Sequence, residues 1–171
     1  MDDKEFERLL LSVQKPGRYS GGEINSVVKD KNKVDVRFAF CFPDTYEIGM
    51  SHLGIKILYS QFNEREDIWC ERVFAPCEDF EKIMREKNIP LFGLESRDSI
   101  RDFDFIGFTL QYEMSYTNIL NMLDLAGVPL LAKDREGLEN LVFAGGVCAF
   151  NPEPLADFID FFSLGEGEES T

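Results

Sequence analysis

The stretch VDVRFAFCFP, Val34 to Pro43, decides the fold class of this 171-residue chain. Its β-branched and aromatic residues are typical of a strand, and it becomes continuously apolar towards Pro43, as expected of a strand covered on both faces. Apolar residues at helical spacing follow in GMSHLGIKILYSQFN, 49–63, which predicts a helix packed on that strand. The stretch therefore opens a strand, loop and helix unit.

The same alternation continues along the chain. Further strands are predicted at 69–76, 91–96, 104–112 and 140–146, and a sixth at the end of 157–168. Helices are predicted at 77–88 and 115–127, the second with Ser115 as its N-cap and Gly127 as its end. Strands alternating with helices predict an α/β fold with a three-layer, doubly wound, mostly parallel sheet of the flavodoxin-like type.

The first 33 residues differ from the rest in pattern. A short amphipathic helix is predicted over Glu5 to Val13, ending before Pro16, and a Gly-rich stretch without strong periodicity follows it. We therefore predict a lead-in at 1–33 and the α/β domain at 34–171.

Composition narrows the function classes. The formal charge of −14, from 18 basic and 32 acidic residues, provides no cationic footprint for a phosphate backbone. Nucleic-acid binding by this chain is not expected. The chain also lacks the pattern of a signal peptide and an apolar run of membrane-spanning length, so a cytoplasmic protein without membrane attachment is predicted.

Few residues have the spacing of a catalytic or metal site. The cysteines lack a Cys-x-x-Cys motif and are interpreted as small apolar residues; they are Cys41, Cys70, Cys77 and Cys148. His52 is the only histidine, and a helix-surface or partly packed position explains it more simply than metal binding. Asp44 and Glu47 could act as acid or base, but turn geometry and solvation account for them. We predict no catalytic residue and no metal site.

Three loops follow the carboxyl ends of predicted strands, where open parallel sheets bind ligands. They are PDTYEIGMSH at 43–52, QYEMSY at 111–116 and GGVCAFNPEP at 145–154. Gly145 and Gly146 allow the backbone to approach a ligand, although a tight turn without a ligand explains them equally well. A dinucleotide fingerprint and a P-loop are both absent, and PDTYEIG is a poor phosphate loop for a flavodoxin-like electron carrier.

Three segments carry a resemblance to a known family. FPDTYEIGMSHLGIKILY at 42–59, DFIGFTLQYEMSYTNILNMLDLAG at 104–127 and AGGVCAFNPEPLADFIDFFSLGEGEE at 144–169 resemble the N-terminal part of bacterial radical S-adenosylmethionine (radical SAM) proteins. The leading domain of that family is similar to cobalamin-binding domains. The resemblance runs from about Leu9 to Glu169 and implies that a radical SAM barrel follows. The chain is thus expected to be the front piece of a longer enzyme, with S-adenosylmethionine and a 4Fe-4S cluster bound by the missing part.

The resemblance also implies a cofactor site. Many cobalamin domains carry Asp-x-His-x-x-Gly after the first strand, and here Tyr46 occupies the histidine position between Asp44 and Gly49. Radical enzymes of this kind often lack that histidine. A bound cobalamin is expected to contact the three loops through Tyr46, Gly49, Met50, Ser51, Gln111, Tyr112, Ser115, Gly145, Gly146, Val147 and Asn151.

Two functions follow from the resemblance. In the first, the chain contributes the cofactor or substrate side of an active site that its own radical SAM barrel completes, and it is not catalytic alone. In the alternative, the same fold has lost its cofactor and is a docking or regulatory module. The sequence does not indicate the substrate.

Overall fold

The computed structural model describes residues 3–137, 139–165 and 167. Its helices are α1 (Asp3–Leu10), α2 (Tyr46–Ser51), α3 (Leu53–Glu64), α4 (Glu78–Lys87) and α5 (Tyr116–Ala126). Its strands are β1 (Val36–Phe42), β2 (Ile68–Phe74), β3 (Phe105–Thr109), β4 (Leu141–Gly145) and β5 (Phe161–Ser163). Short 3-10 turns lie in the loops between them.

The strands form one sheet in the order β2-β1-β3-β4-β5, and every neighbouring pair is parallel. This confirms the predicted α/β fold with a three-layer, flavodoxin-like sheet. The strand order reverses direction between β1 and β3, and all carboxyl ends lie at one edge of the sheet. Ligands of doubly wound folds bind at such a reversal.

The strand predicted at 91–96 was wrong, and the described sheet has five strands instead of six. Within this stretch only Phe92 forms an isolated bridge, which is antiparallel and joins it to Ser99. The chain turns back on itself here, because the Gly93 amide donates to the Asp98 carbonyl. Its apolar residues are buried against the body of the domain without joining the sheet.

The helix predicted at 49–63 is two helices. α2 begins earlier, at Tyr46, and the backbone is extended at His52 (φ −77°, ψ 122°) before α3 begins. Ser115 precedes α5, but its hydroxyl donates to the Tyr112 carbonyl and does not cap the helix. Gly127 ends α5 in the left-handed conformation (φ 70°), as predicted.

The two faces of the sheet are covered differently. On the first face, α4 and α5 bury alternate strand residues such as Ala39 and Cys41, and α1 joins the same apolar cluster through Phe6 and Leu10. On the second face, α3 packs on a smaller, largely aromatic cluster that includes Phe38. The lead-in is thus in contact with the core, and the domain division after residue 33 stays a prediction.

Buried ion pairs hold the edge strand β2. The Arg72 side chain is almost fully buried, and its Nε donates to Glu95 Oε1 at 2.7 Å. The Arg72 backbone amide donates to the other Glu95 oxygen at 2.8 Å. Burial raises the pKa of Glu95, although Arg72 opposes that rise. The loop carrying Glu95 is fixed against β2 by these contacts.

No helix among the described residues combines the length and the apolar character needed to cross a membrane.

Candidate functional site at the carboxyl edge of the sheet

A cavity of about 610 Å³ lies between α3 and the second face of the sheet. Its floor is a row of aromatic rings, in which Phe38 stacks on Phe143 at 5.5 Å between centroids and Phe143 stacks on Phe161 at 5.1 Å. Leu58 and Phe62 of α3 line the opposite wall. The volume and the apolar lining are typical of small-molecule and cofactor sites.

Gly107 makes this aromatic floor possible. It lies on β3, between the strands that carry Phe38 and Phe143, and those two rings meet above it. A Cβ at position 107 would be 2.6 Å from Phe143 Cζ and 2.7 Å from Phe38 Cε2. Only glycine leaves the space that the two rings occupy.

Replacing Gly107 by alanine is therefore expected to destabilise the domain by about 1–3 kcal/mol, the usual scale of overpacking. The Cβ would push both rings off the sheet and disrupt the cavity floor. Urea unfolding measures the effect, and Gly17→Ala is the control because position 17 has no neighbouring atom within 4 Å of its Cβ. Equal stability of the two variants would contradict this description of the floor.

Polar groups lie where the cavity reaches the carboxyl edge of the sheet. They are His52, Thr109, Gln111 and Ser163. The Nδ1 atom of His52 is buried, and it has no hydrogen-bond partner in the described part of the chain. The Gln111 side-chain amide donates to the Thr109 hydroxyl. The His52 ring lines the cavity, but its Nδ1 atom is closed to a water-sized molecule, so Thr109 and Gln111 are polar side chains that a ligand at this edge could contact.

Backbone bonds hold the glycine loop after β4 against the loop after β3. The Leu110 amide donates to the Gly145 carbonyl at 2.7 Å, and the Cys148 amide donates to the Leu110 carbonyl at 3.1 Å. Gly146 has φ 110°, and a Cβ there would lie 2.9 Å from the Leu110 carbonyl oxygen. Glycine at position 146 is thus required by the close approach of these two loops.

The loop after β1 reaches the same edge. The Tyr112 hydroxyl donates to Asp44 Oδ2 at 2.9 Å, which joins the loops after β3 and β1. Tyr112 is exposed, and so are its apolar neighbours Met114, Val147 and Phe150. The three loops chosen from the sequence therefore lie together, with an apolar rim at this edge, of which Val147 and Phe150 also line the cavity.

Four of the eleven predicted cofactor contacts line the cavity: Gln111, Gly145, Gly146 and Val147. The other seven lie outside its lining; they are Tyr46, Gly49, Met50, Ser51, Tyr112, Ser115 and Asn151. Gly49 is packed beneath the Phe74 ring, which its Cβ would enter at 2.3 Å from Cε1. The role of all eleven as cofactor contacts stays a prediction.

Tyr46, at the histidine position of the resemblance, points away from the cavity. Its hydroxyl donates to Glu23 Oε1 at 3.0 Å, and its ring packs edge-on against Phe74. Burial and the neighbouring Glu23 carboxylate raise the pKa of the Tyr46 phenol. The Tyr46 phenol is therefore neutral, and its hydroxyl is hydrogen-bonded on the side of β1 that faces β2.

Sequence reasoning missed several residues of the cavity. Thr109 ends β3 and lies two positions before Gln111, and the strand predicted at 104–112 contained both, so the period-2 alternation of a strand was a usable signal for it. His52 was interpreted as a helix-surface or partly packed residue; it is partly buried, and its ring lines the cavity. Ser163 and Phe150 gave no local signal. No group of three or more potential metal-binding side chains comes together among the residues described.

Comparison of the sequence with known proteins identifies related proteins. The sequence model described as "Radical SAM proteins, N-terminal" matches residues 54–171. The uncharacterized protein MJ0966 of Methanocaldococcus jannaschii is 30% identical over 135 residues, which cover 77% of this chain. The chain spans about a quarter of that relative's length, since the aligned part is 24% of it.

Proposed function

As the chain belongs to the N-terminal family of radical SAM proteins, we propose that it forms the cofactor-binding side of an active site that a radical SAM catalytic domain completes. We further propose that the cofactor is a cobalamin, held at the carboxyl edge with its nucleotide tail in the cavity between α3 and the sheet. A bound cobalamin supplies a cobalt centre that can carry a methyl group.

The cavity is the observation that supports this proposal. It offers about 610 Å³ with an aromatic floor, and it opens where the strand order reverses. An apolar aromatic cavity suits the aromatic base of the nucleotide tail, because offset stacking on phenyl rings stabilises it. The polar groups at its open end suit the tail's phosphate and sugar. Gln111 would donate or accept through its side-chain amide, which lies beside the Thr109 hydroxyl.

The chain residues would bind and orient the cofactor and shield it from water. Gly145 lines the cavity without a side chain, so a ligand can lie directly on the end of β4. Val147 and Phe150 stand at the rim, where their apolar side chains would cover the ligand's edge. Tyr46 is neutral and bonded to Glu23, so it would not replace the cofactor's lower nitrogen ligand.

Electron paramagnetic resonance tests the proposal on the full-length protein. Free cob(II)alamin at neutral pH shows nitrogen splitting from its own lower base. If that base enters the cavity and Tyr46 does not take its place, the splitting is expected to disappear on mixing with the anaerobically purified protein. A spectrum identical to that of free cob(II)alamin would contradict the proposal.

A second candidate is a cofactor-free docking module of the same fold. The exposed apolar rim favours it, because Met114 is 82% and Phe150 is 77% exposed and both stand at the carboxyl edge. Apolar side chains grouped on a surface commonly mark an interaction site. Failure to bind cobalamin, together with weakened association of the two domains in a Phe150→Asp variant, would support this candidate.

A further inference from the structure

The lining of the cavity divides into a polar end and an apolar interior. Its polar side chains include Thr109, which ends β3, and Ser163, which ends β5. The other two, Gln111 and His52, lie in the stretches that follow β3 and β1. Every other described residue of the lining is a glycine or has an apolar side chain, beginning with Val36 at the amino end of β1. A part of a ligand that reaches inward from the carboxyl edge therefore meets no polar side chain of the described residues.

The backbone around this interior is used within secondary structure. The strands β1, β3 and β4 each have a parallel neighbour on both sides, so their amide and carbonyl groups bond within the sheet. The opposite wall is α3, whose backbone bonds are internal to the helix. The interior thus presents aromatic and aliphatic carbons to a ligand.

This division bears on the nucleotide tail of a cobamide, the class of corrinoids to which cobalamin belongs. Cobamides share the corrin ring and differ in the base at the end of the tail. Dimethylbenzimidazole, the base of cobalamin, is a methylated arene, and p-cresol is a methylated phenol joined to the tail through its oxygen. Adenine carries an amino group and additional ring nitrogens. When these groups are buried without hydrogen-bond partners, the bonds that they make to water are lost.

We propose that the cavity selects cobamides with an apolar lower base, dimethylbenzimidazole or p-cresol, and discriminates against adenine. The base would lie between Leu58 of α3 and Phe143 of the aromatic floor, with its methyl groups against aromatic and aliphatic carbons. The polar part of the tail would stay at the carboxyl edge, beside Thr109 and Gln111. This inference rests on the proposed function, because it requires the nucleotide tail to occupy the cavity.

Leu58 is a position from which the preference can be changed. It lies on α3 and lines the wall opposite the aromatic floor. Leu58→Gln would place an amide, which both donates and accepts hydrogen bonds, in the apolar interior at a similar side-chain volume. The preference for cobalamin over the adenine cobamide is expected to narrow by roughly threefold or more.

Ile57→Gln is the matched control for this change. Ile57 precedes Leu58 on α3, but its side chain is exposed and does not belong to the cavity lining. The control is expected to keep the wild-type preference. An equal change in the two variants, or no change in Leu58→Gln, would contradict selection by the polarity of the lining.

Equilibrium dialysis of the full-length protein tests the selection with cobalamin, p-cresolyl cobamide and adeninyl cobamide. Dialysis measures the bound ligand directly, so it does not depend on a change in the absorption spectrum. The ligands are kept in the Co(I) state under strong anaerobic reduction, because no lower base is bound to cobalt in that state. Differences in affinity then report the surroundings of the base.

Adeninyl cobamide is expected to bind roughly tenfold or more weakly than cobalamin, and p-cresolyl cobamide within about threefold of cobalamin. Equal affinities for cobalamin and adeninyl cobamide would overturn this inference and leave the proposed function intact. Weak binding of both p-cresolyl and adeninyl cobamides would show that the size of the base decides, and it would overturn the inference as well. Absence of binding by all of these ligands would overturn the proposed function, and this inference with it.

Discussion

Replacing Arg72 by leucine is expected to lower the free energy of unfolding by about 3–5 kcal/mol, the cost of breaking a buried ion pair from one side. The Arg72 and Glu95 side chains are 2% and 0% exposed, and they are joined at 2.7 Å. Without the guanidinium, the Glu95 carboxylate would stay buried with its charge uncompensated. The Arg72 guanidinium also covers the Tyr59 ring at 4.3 Å, a contact that leucine replaces only in part.

Equilibrium urea unfolding measures this effect, and an exposed pair provides the control. Arg65 and Asp67 are joined at 2.7 Å as well, but their side chains are 59% and 42% exposed. Arg65→Leu is therefore expected to cost less than about 1 kcal/mol. A double variant, Arg72→Leu with Glu95→Leu, should recover much of the lost stability. If Arg72→Leu costs no more than Arg65→Leu, the described ion pair does not hold β2.

Acid pH should reduce the Arg72→Leu penalty. Burial raises the pKa of Glu95, and Arg72 opposes that rise, so the variant's Glu95 takes up a proton at a higher pH than the wild-type residue does. Stability of the variant should therefore fall as pH rises from the ordinary carboxyl range to neutrality. The difference from wild type should narrow as pH is lowered.

Gly145→Val is expected to weaken cobalamin binding roughly a hundredfold, or about 2.7 kcal/mol, while leaving the fold intact. Position 145 ends β4 and lines the cavity. A Cβ there would meet Ser163 at 3.5 Å, an ordinary contact, and valine is a favourable strand residue. Its methyl groups would occupy the space into which the cofactor is proposed to fit.

The matched control for this change is Gly17→Val. A Cβ at position 17 has no atom within 4 Å, and Gly17 is not part of the cavity lining. Affinity and unfolding free energy are measured for both variants in the full-length protein. Unchanged affinity in Gly145→Val would remove the cavity from the proposed site, and a matching loss in Gly17→Val would show that the effect is not local.

The fold was largely predictable because short apolar segments of the sequence identify most of the strands. β1 is continuously apolar from Phe38 to Phe42, and β3 and β4 are similar runs bounded by glycine or polar residues. The stretch 91–96 is similarly apolar, yet it forms a turn. The Leu94 amide donates to the Arg72 carbonyl of β2, and the Ser96 amide donates to the buried Glu71 carboxylate. Those are long-range contacts, which no local pattern encodes.

The position of the site could be predicted from the sequence, but most of the residues that line the cavity could not. The strand-end rule selected the loops that meet at the carboxyl edge, and four of the predicted residues line the cavity there. The aromatic floor was not predicted, because Phe38, Gly107 and Phe143 come from three strands that are far apart in sequence. The break at His52 turns its ring into the cavity wall, and the apolar spacing across it resembles an unbroken helix.

The most direct test is an absorption titration of the full-length protein with cobalamin under anaerobic reducing conditions. We expect a saturable change in the cobalamin spectrum that ends at one cofactor per chain. A spectrum that stays that of free cobalamin at every protein concentration would contradict the assignment of this domain as a cobalamin site.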